Sequence, residues 1–347
     1  MRISLTKGYY HVRLRSTPHL LSLSISLVMD PNDPSTFNHQ YANINGIRLH
    51  YIDANPSSHN VLLFIHGWPD LWLGWRYQIP FFSKLGYRVI VPTLRGFGET
   101  DAPEDLATYG DKGISADLAA LLDHLSIPTV AVVGHDWGGM VAWRFTQFHP
   151  ERVRAVASFC TPYNPPEQQY IPLENLVEFM PNFKYQLYLV SPEAEQEINE
   201  HTADFFKLVF RPASEARALI HKKTNKLVIG RTNASKSEAL SQKVLDYYVK
   251  SYQRNGSRGS LNWYKRRKIN YEQCKDLDPI IRKPALMVTA AKDAALPPSL
   301  TKNMHKYIPD LTQHNVDDAG HWVLWEKPDE CNKHLLNWLH KVSPAKL

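Results

Sequence analysis

Two rhythms of apolar residues alternate along the first half of this chain. Short apolar runs at 61–65, 87–94, 130–133 and 153–159 are bounded by glycine, proline or polar clusters and have the length of buried strands. Between them apolar residues recur three and four apart: Ile79, Phe82 and Leu85 before Gly86, then Leu118, Leu121, Leu122 and Leu125 before Pro128. That spacing lines one face of a helix, and the Gly or Pro that follows is its stop signal. Ahead of them, 44–51 holds Asn45-Gly46 between two extended runs, and Asn-Gly accepts the positive φ angles of a two-residue hairpin. Strands alternating with helices make a parallel sheet, so the fold class is α/β with a mostly parallel, doubly wound sheet.

After Cys160 the rhythm is lost. From 161 to 283 the chain carries prolines, aromatics and helical stretches such as 244–252, without strand alternation. The strand pattern resumes at 285–289, and a last helix puts Cys331, Leu335, Trp338, Leu339 and Val342 on one face. The division this implies is a core of residues 41–160 and 284–347, interrupted by a helical lid over 161–283. Residues 1–40 stand apart. Arg2, Lys7, Arg13 and Arg15 occur before the first acid at Asp30, and this basic extension is expected to be disordered. Its apolar run at 20–28 is too short to cross a bilayer. A mitochondrial-type presequence and a dispensable leader before Met29 are the two readings of it.

Composition narrows the class of function. With 43% hydrophobic and 21% charged residues in 347, the chain is globular and long enough to bury a sizeable core. The formal charge of +6 is modest, and its basic run Lys265-Arg266-Arg267-Lys268 is expected to be a solvated face, since no nucleic-acid-binding module surrounds it. Cys160, Cys274 and Cys331 are too few for a disulfide framework and too scattered for a zinc site. They favour a reducing compartment and imply neither metal nor cofactor. The chain closes on Ala345-Lys346-Leu347, a variant of the Ser-Lys-Leu peroxisomal address, so a cytoplasmic or peroxisomal location is expected.

The chemistry concentrates where the run 130–133 ends in Gly134-His135-Asp136-Trp137-Gly138-Gly139. Small residues on either side of Asp136 suit a sharp strand-to-helix reversal, a nucleophile elbow. A carboxylate at its tip attacks sp³ carbon and leaves an ester that water can cleave, whereas a serine would leave an inert ether. Asp293, just past 285–289, and His321, in Gly320-His321-Trp322 ahead of the last helix, complete the order nucleophile, acid, histidine. Asp136 and Asp293 fall just beyond expected strands, at the sheet edge where open α/β folds bind ligands, and His321 precedes the last helix.

These residues, with His66-Gly67-Trp68-Pro69-Asp70, Arg95-Gly96-Phe97-Gly98, Tyr185-Gln186-Leu187-Tyr188 and Asn262-Trp263-Tyr264, resemble the soluble epoxide hydrolases of the α/β-hydrolase fold over roughly 43–342. The resemblance implies that an epoxide becomes a vicinal diol in two steps. Asp136 is alkylated, and water activated by His321, itself oriented by Asp293, then cleaves the ester. It implies that Tyr185 and Tyr264 of the lid hold and protonate the ring oxygen, with Tyr188 as the alternative to Tyr185. It further implies an oxyanion hole from the backbone N–H groups of Trp68 and Trp137, and an apolar pocket lined by Pro69 and Trp322. The partners implied are a small apolar epoxide and water. Two other readings share the fold. A dehalogenase would use the same Asp and hold halide with Trp or Asn donors, which nine tryptophans permit. A non-catalytic receptor is disfavoured by the joint presence of Asp136, Asp293 and His321.

Overall fold

The computed structural model describes residues 28–215, 228 and 235–342, together with a short antiparallel pairing of Ser4–Thr6 with Tyr9–His11. The rest of the basic extension and the tail Ala345-Lys346-Leu347 lie outside the described residues. Eight strands form one sheet: β1 (His39–Ile44), β2 (Ile47–Ala54), β3 (Val61–Ile65), β4 (Arg88–Pro92), β5 (Val130–His135), β6 (Val153–Phe159), β7 (Ala285–Ala290) and β8 (Leu311–Val316). Their spatial order is β8-β7-β6-β5-β3-β4-β2-β1. β2 is antiparallel to β1 and β4, and all other pairings are parallel. β3, β5 and β7 are buried along their whole length, which is why they read as unbroken apolar runs. The β1–β2 turn is the Asn-Gly hairpin, with φ of 46° at Asn45 and 76° at Gly46.

Helices α1 (Gln78–Lys84), α2 (Asp111–His124) and α3 (Trp137–Phe148) connect the strands of the first half. Between β6 and β7 the chain runs through α4 (Leu173–Phe179), α5 (Tyr185–Leu189), α6 (Pro192–Glu200), α7 (Thr202–Val209), α8 (Gln242–Asn255), α9 (Arg258–Lys265) and α10 (Arg267–Cys274). The short α11 (Val323–Glu326) and the long α12 (Pro328–Val342) close the fold, and Cys331, Leu335, Trp338 and Leu339 bury the expected face. No helix among the described residues is long and apolar enough to cross a membrane.

Four details depart from the sequence pattern. Residues 28–40 are built onto the core rather than disordered: Asp33 caps the turn Pro34–Thr36 through Ser35 N–H, and Phe37 is buried with its ring 4.8 Å from Trp72. Leu85 is exposed because α1 ends one residue before it. β8 was not expected. It pairs only with β7 at the sheet edge, and its sequence Leu-Thr-Gln-His-Asn-Val is mostly polar, as an edge strand with a wet face allows. The basic run is not wholly solvated either. Arg266 is fully buried, donating to Tyr109 O at 2.8 Å, paired with Asp111 at 2.8 Å and stacked over Trp263 and Trp137. A guanidinium can be buried there because a carboxylate, a carbonyl and two indole faces replace its water.

Candidate active site

Four strands end at one edge of the sheet and deliver the reactive groups there. β3 leads into 66–70, β5 into Asp136, β7 into Asp293 and β8 into His321. The reversal at Asp136 is sharp: its φ is +54°, a left-handed conformation that costs a non-glycine residue and is held by its surroundings. A Cβ on Gly134 would stand 2.1 Å from Gly138 O, and one on Gly138 would stand 2.1 Å from Ile65 O. Only glycine lets strand and helix approach this closely.

The elbow aims Asp136 between two partners. Its Oδ1 accepts the Trp68 backbone N–H at 2.7 Å, and its Oδ2 lies 3.4 Å from His321 Nε2. His321 Nδ1 is 2.8 Å from Asp293 Oδ2, while Asp293 Oδ1 accepts the N–H groups of Ala295 and Leu296 at 2.9 Å each. Trp137 opens α3, so its N–H has no acceptor within the helix. Burial acts to raise the pKa of Asp136, but the bond to His321 and its charge outweigh that and leave the carboxyl lowered. Asp293 is likewise pushed up by burial and brought down to about 2 by the His321 charge and the bonds it accepts. Burial pulls His321 down, yet the charges of Asp293 and Asp136 raise it well above its ordinary value. Both carboxylates thus favour the protonated imidazole between them.

A cavity of about 480 Å³ opens on Asp136, and Trp137, Tyr185 and Tyr264 are in its wall. Tyr264, on α9, has its ring centroid 5.4 Å from Trp137, 5.1 Å from Trp68 and 6.3 Å from Tyr185, which opens α5. Burial first, then the nearby Asp136, raises Tyr185 far above 10; burial and Tyr185 do the same to Tyr264. Both remain protonated donors at any workable pH. Tyr188 is directed elsewhere, donating to Glu197, so the cavity takes Tyr185. Apolar side chains such as Met140, Leu176, Met180 and Phe183 continue the wall. Two expected lining residues are absent from it. Trp322 is packed in the core beside Phe210 and donates its Nε1–H to Val209 O at 2.8 Å. Pro69 is buried under α8 and its carbonyl accepts from Tyr252 at 3.0 Å.

This geometry can be set beside known proteins. The sequence pattern of the alpha/beta hydrolase fold matches residues 60–328. "Epoxide hydrolase srdG" of Neurospora crassa is 35% identical over 331 residues, covering 88% of this chain and 96% of that protein. The chain belongs to the α/β-hydrolase-fold epoxide hydrolases. Mouse "Bifunctional epoxide hydrolase 2" is 37% identical over 316 residues, 89% of this chain but 56% of its own length, so the chain spans about half of that relative. The crystal structure of epoxide hydrolase A from Mycobacterium thermoresistibile superimposes with a TM-score of 0.76 at 30% identity, covering 87% of this chain and 98% of that one.

Three features of this site are invisible in the spacing of its motifs. His135, inside the elbow, is kept neutral by burial, which lowers it to about 4, and it sits 2.7 Å from the His321 carbonyl through Nε2. Its seat beside Asp136 was the only signal. Asp70 is buried, accepting from Leu71 N–H at 2.7 Å and from Tyr248 OH at 2.5 Å. Helix α8 also reaches this loop through Tyr252 and, by way of Trp72 Nε1–H at 2.8 Å, through Tyr247.

Proposed function

We propose that this chain hydrolyses an epoxide to a vicinal diol, with Asp136 as nucleophile, His321 as base, Asp293 as its orienting acid, and the insertion between β6 and β7 as the lid. The observation that carries the reading is the pair of phenols, Tyr264 buried and Tyr185 partly buried, in the wall of the cavity onto which Asp136 opens. Asp136 Oδ1 is occupied by Trp68 N–H, which leaves Oδ2 to attack carbon. As the C–O bond of the ring breaks, the alkoxide takes a proton from one phenol and a hydrogen bond from the other. Phenols suit this task because they donate without a charge that would compete for Asp136.

Ester formation removes the Asp136 charge, and with it one of the two charges that hold His321 protonated. His321 then gives up its proton, which restores the phenol that protonated the alkoxide, and as a neutral imidazole becomes the base for water attacking the ester carbonyl. The growing oxyanion on Oδ1 is already bonded to Trp68 N–H, and Trp137 N–H supplies the second donor. On collapse the departing diol oxygen takes the proton that His321 drew from water, and the acid left on Asp136 yields its proton to His321, which returns the carboxylate.

The test is rapid-mixing measurement of Asp136 alkylation with styrene oxide in Tyr185→Phe, Tyr264→Phe and the double variant. Each single change should slow alkylation about 10²- to 10³-fold, the usual effect of losing one such donor, and the double should nearly abolish it. Ester hydrolysis should be largely spared. Alkylation unchanged without both phenols, or halide release from a short haloalkane that outpaces diol formation, refutes the reading.

A further inference from the structure

Far from Asp136 in sequence and role, three side chains converge where β1, β2 and the loop after β4 meet. His39 Nδ1 and His50 Nε2 face one another at 2.8 Å. One ring nitrogen from each histidine and a carboxylate oxygen of Glu99 lie within 4.8 Å of one another. From these positions we propose a transition-metal site, suited to Zn²⁺, with His39 Nδ1, His50 Nε2 and Glu99 as its protein ligands and water as the fourth.

The surrounding hydrogen bonds are those a metal site needs. His39 Nε2 is 2.9 Å from Pro34 O. A carbonyl can only accept, so the proton sits on Nε2 and the Nδ1 lone pair points inward. A backbone carbonyl on the outer nitrogen is the common support of a metal-bound imidazole. His50 Nδ1 lies 2.8 Å from Thr93 Oγ1, and that hydroxyl can either donate or accept. Without an ion, Thr93 donates to Nδ1 and His50 Nε2–H donates to His39. With an ion, His50 changes tautomer, Nδ1–H donates to Thr93, and both inward nitrogens offer lone pairs. Glu99 is oriented by the hydroxyls of Tyr41 and Tyr247.

Zinc–nitrogen bonds of about 2.0–2.1 Å at tetrahedral angles set ligand nitrogens about 3.3 Å apart. The two rings must therefore separate by roughly half an ångström, and His39, the less buried, is free to do it. Two cations face the site. Arg48 lies over the Tyr41 ring, and Arg254, half exposed, sits 3.7 Å from Glu99. Arg254 must turn to solvent when an ion binds, so Arg254→Gln should tighten binding. The bound ion would tie β1, β2 and the loop to α8 through Tyr247. The sequence gives no hint of it, because the ligands stand at positions 39, 50 and 99 with no motif spacing.

A second cluster, His135, Cys160 and His321, is the competing location for an ion. His135 Nε2 and His321 Nδ1 are engaged by the His321 carbonyl and Asp293, while His135 Nδ1 is buried without a hydrogen-bond partner, and an ion there would stop turnover. The experiment uses the full chain, dialysed against chelator, titrated with Co²⁺ by visible absorption and with Zn²⁺ by calorimetry, with melting temperature and epoxide turnover read in parallel. The wild type should bind one equivalent, melt higher and keep its turnover. His39→Gln and Glu99→Gln, both at partly exposed positions, should fold, turn over epoxide and bind more than about tenfold more weakly. No stoichiometric uptake by the wild type, uptake that survives both substitutions, or uptake abolished by His321→Gln instead would overturn the assignment.

Discussion

Asp70 gives the sharpest numerical test of how burial governs this site. It is 1% exposed, and burial raises its pKa from 3.8 to about 6, more than Tyr248, Leu71 and Arg76 together lower it. The folded state therefore binds this proton more tightly than the unfolded chain. The stabilisation is complete below pH 3.8 and is lost as pH rises through about 6. At 1.36 kcal/mol per pKa unit the loss is about 3 kcal/mol. Asp70→Asn cannot ionise, and its amide oxygen still accepts from Tyr248 and Leu71. Urea unfolding of both proteins at pH 4 and pH 7 isolates the effect, since every other titrating group cancels in the difference. Relative to wild type the variant should gain about 2.4 kcal/mol between the two pH values, because part of the full effect is already lost at pH 4, where the unfolded carboxyl is more than half ionised. A difference that does not change with pH shows that Asp70 ionises in the folded state as easily as in the unfolded one, and the burial argument fails.

Three further outcomes are expected. His321→Gln should still alkylate but not turn over, so mass spectrometry should find substrate attached to the peptide holding Asp136; an adduct elsewhere moves the nucleophile off the elbow. Gly138→Ala drives a methyl against Ile65 O and should cost about 3 kcal/mol or more in chemical unfolding, the upper end for overpacking; a smaller loss shows that the elbow can relax. If Ala345-Lys346-Leu347 is a peroxisomal address, an amino-terminally tagged protein should collect in peroxisomes and disperse when the tail is capped; diffuse fluorescence with the tail free removes the idea.

What the sequence revealed follows from how local each signal is. Buried strands such as β3 and β5 announce themselves as unbroken apolar runs, and the β1–β2 turn is written in two residues. β8 has no such mark because half of it is wet, yet it is the strand that leads to His321. The elbow was legible because steric demand fixes its glycines within five residues. Tyr185 could be separated from Tyr188 only by seeing which phenol reaches the cavity. Arg266 was misread because its partners, Asp111 and Trp137, are more than a hundred residues away in sequence. Trp322 and Pro69 were misplaced for the opposite reason. Proximity to His321 and to the Trp68 turn says nothing about which side of the backbone faces the void.

The three phenols of α8 make the helical insertion asymmetric. Tyr252 holds Pro69, Tyr248 holds Asp70, and Tyr247 bridges Trp72 and Glu99, so this wall is fastened to the same loop that presents Trp68 N–H to Asp136. Swinging α8 away would disturb the donor before any substrate arrived. The α4–α5 side, which carries Tyr185, meets the core instead through Asn182, whose Nδ2–H donates to Ala295 O, and includes the highly exposed Phe179. Any opening for substrate and diol that keeps the Trp68 donor in place is therefore expected on this side of the doorway rather than at α8.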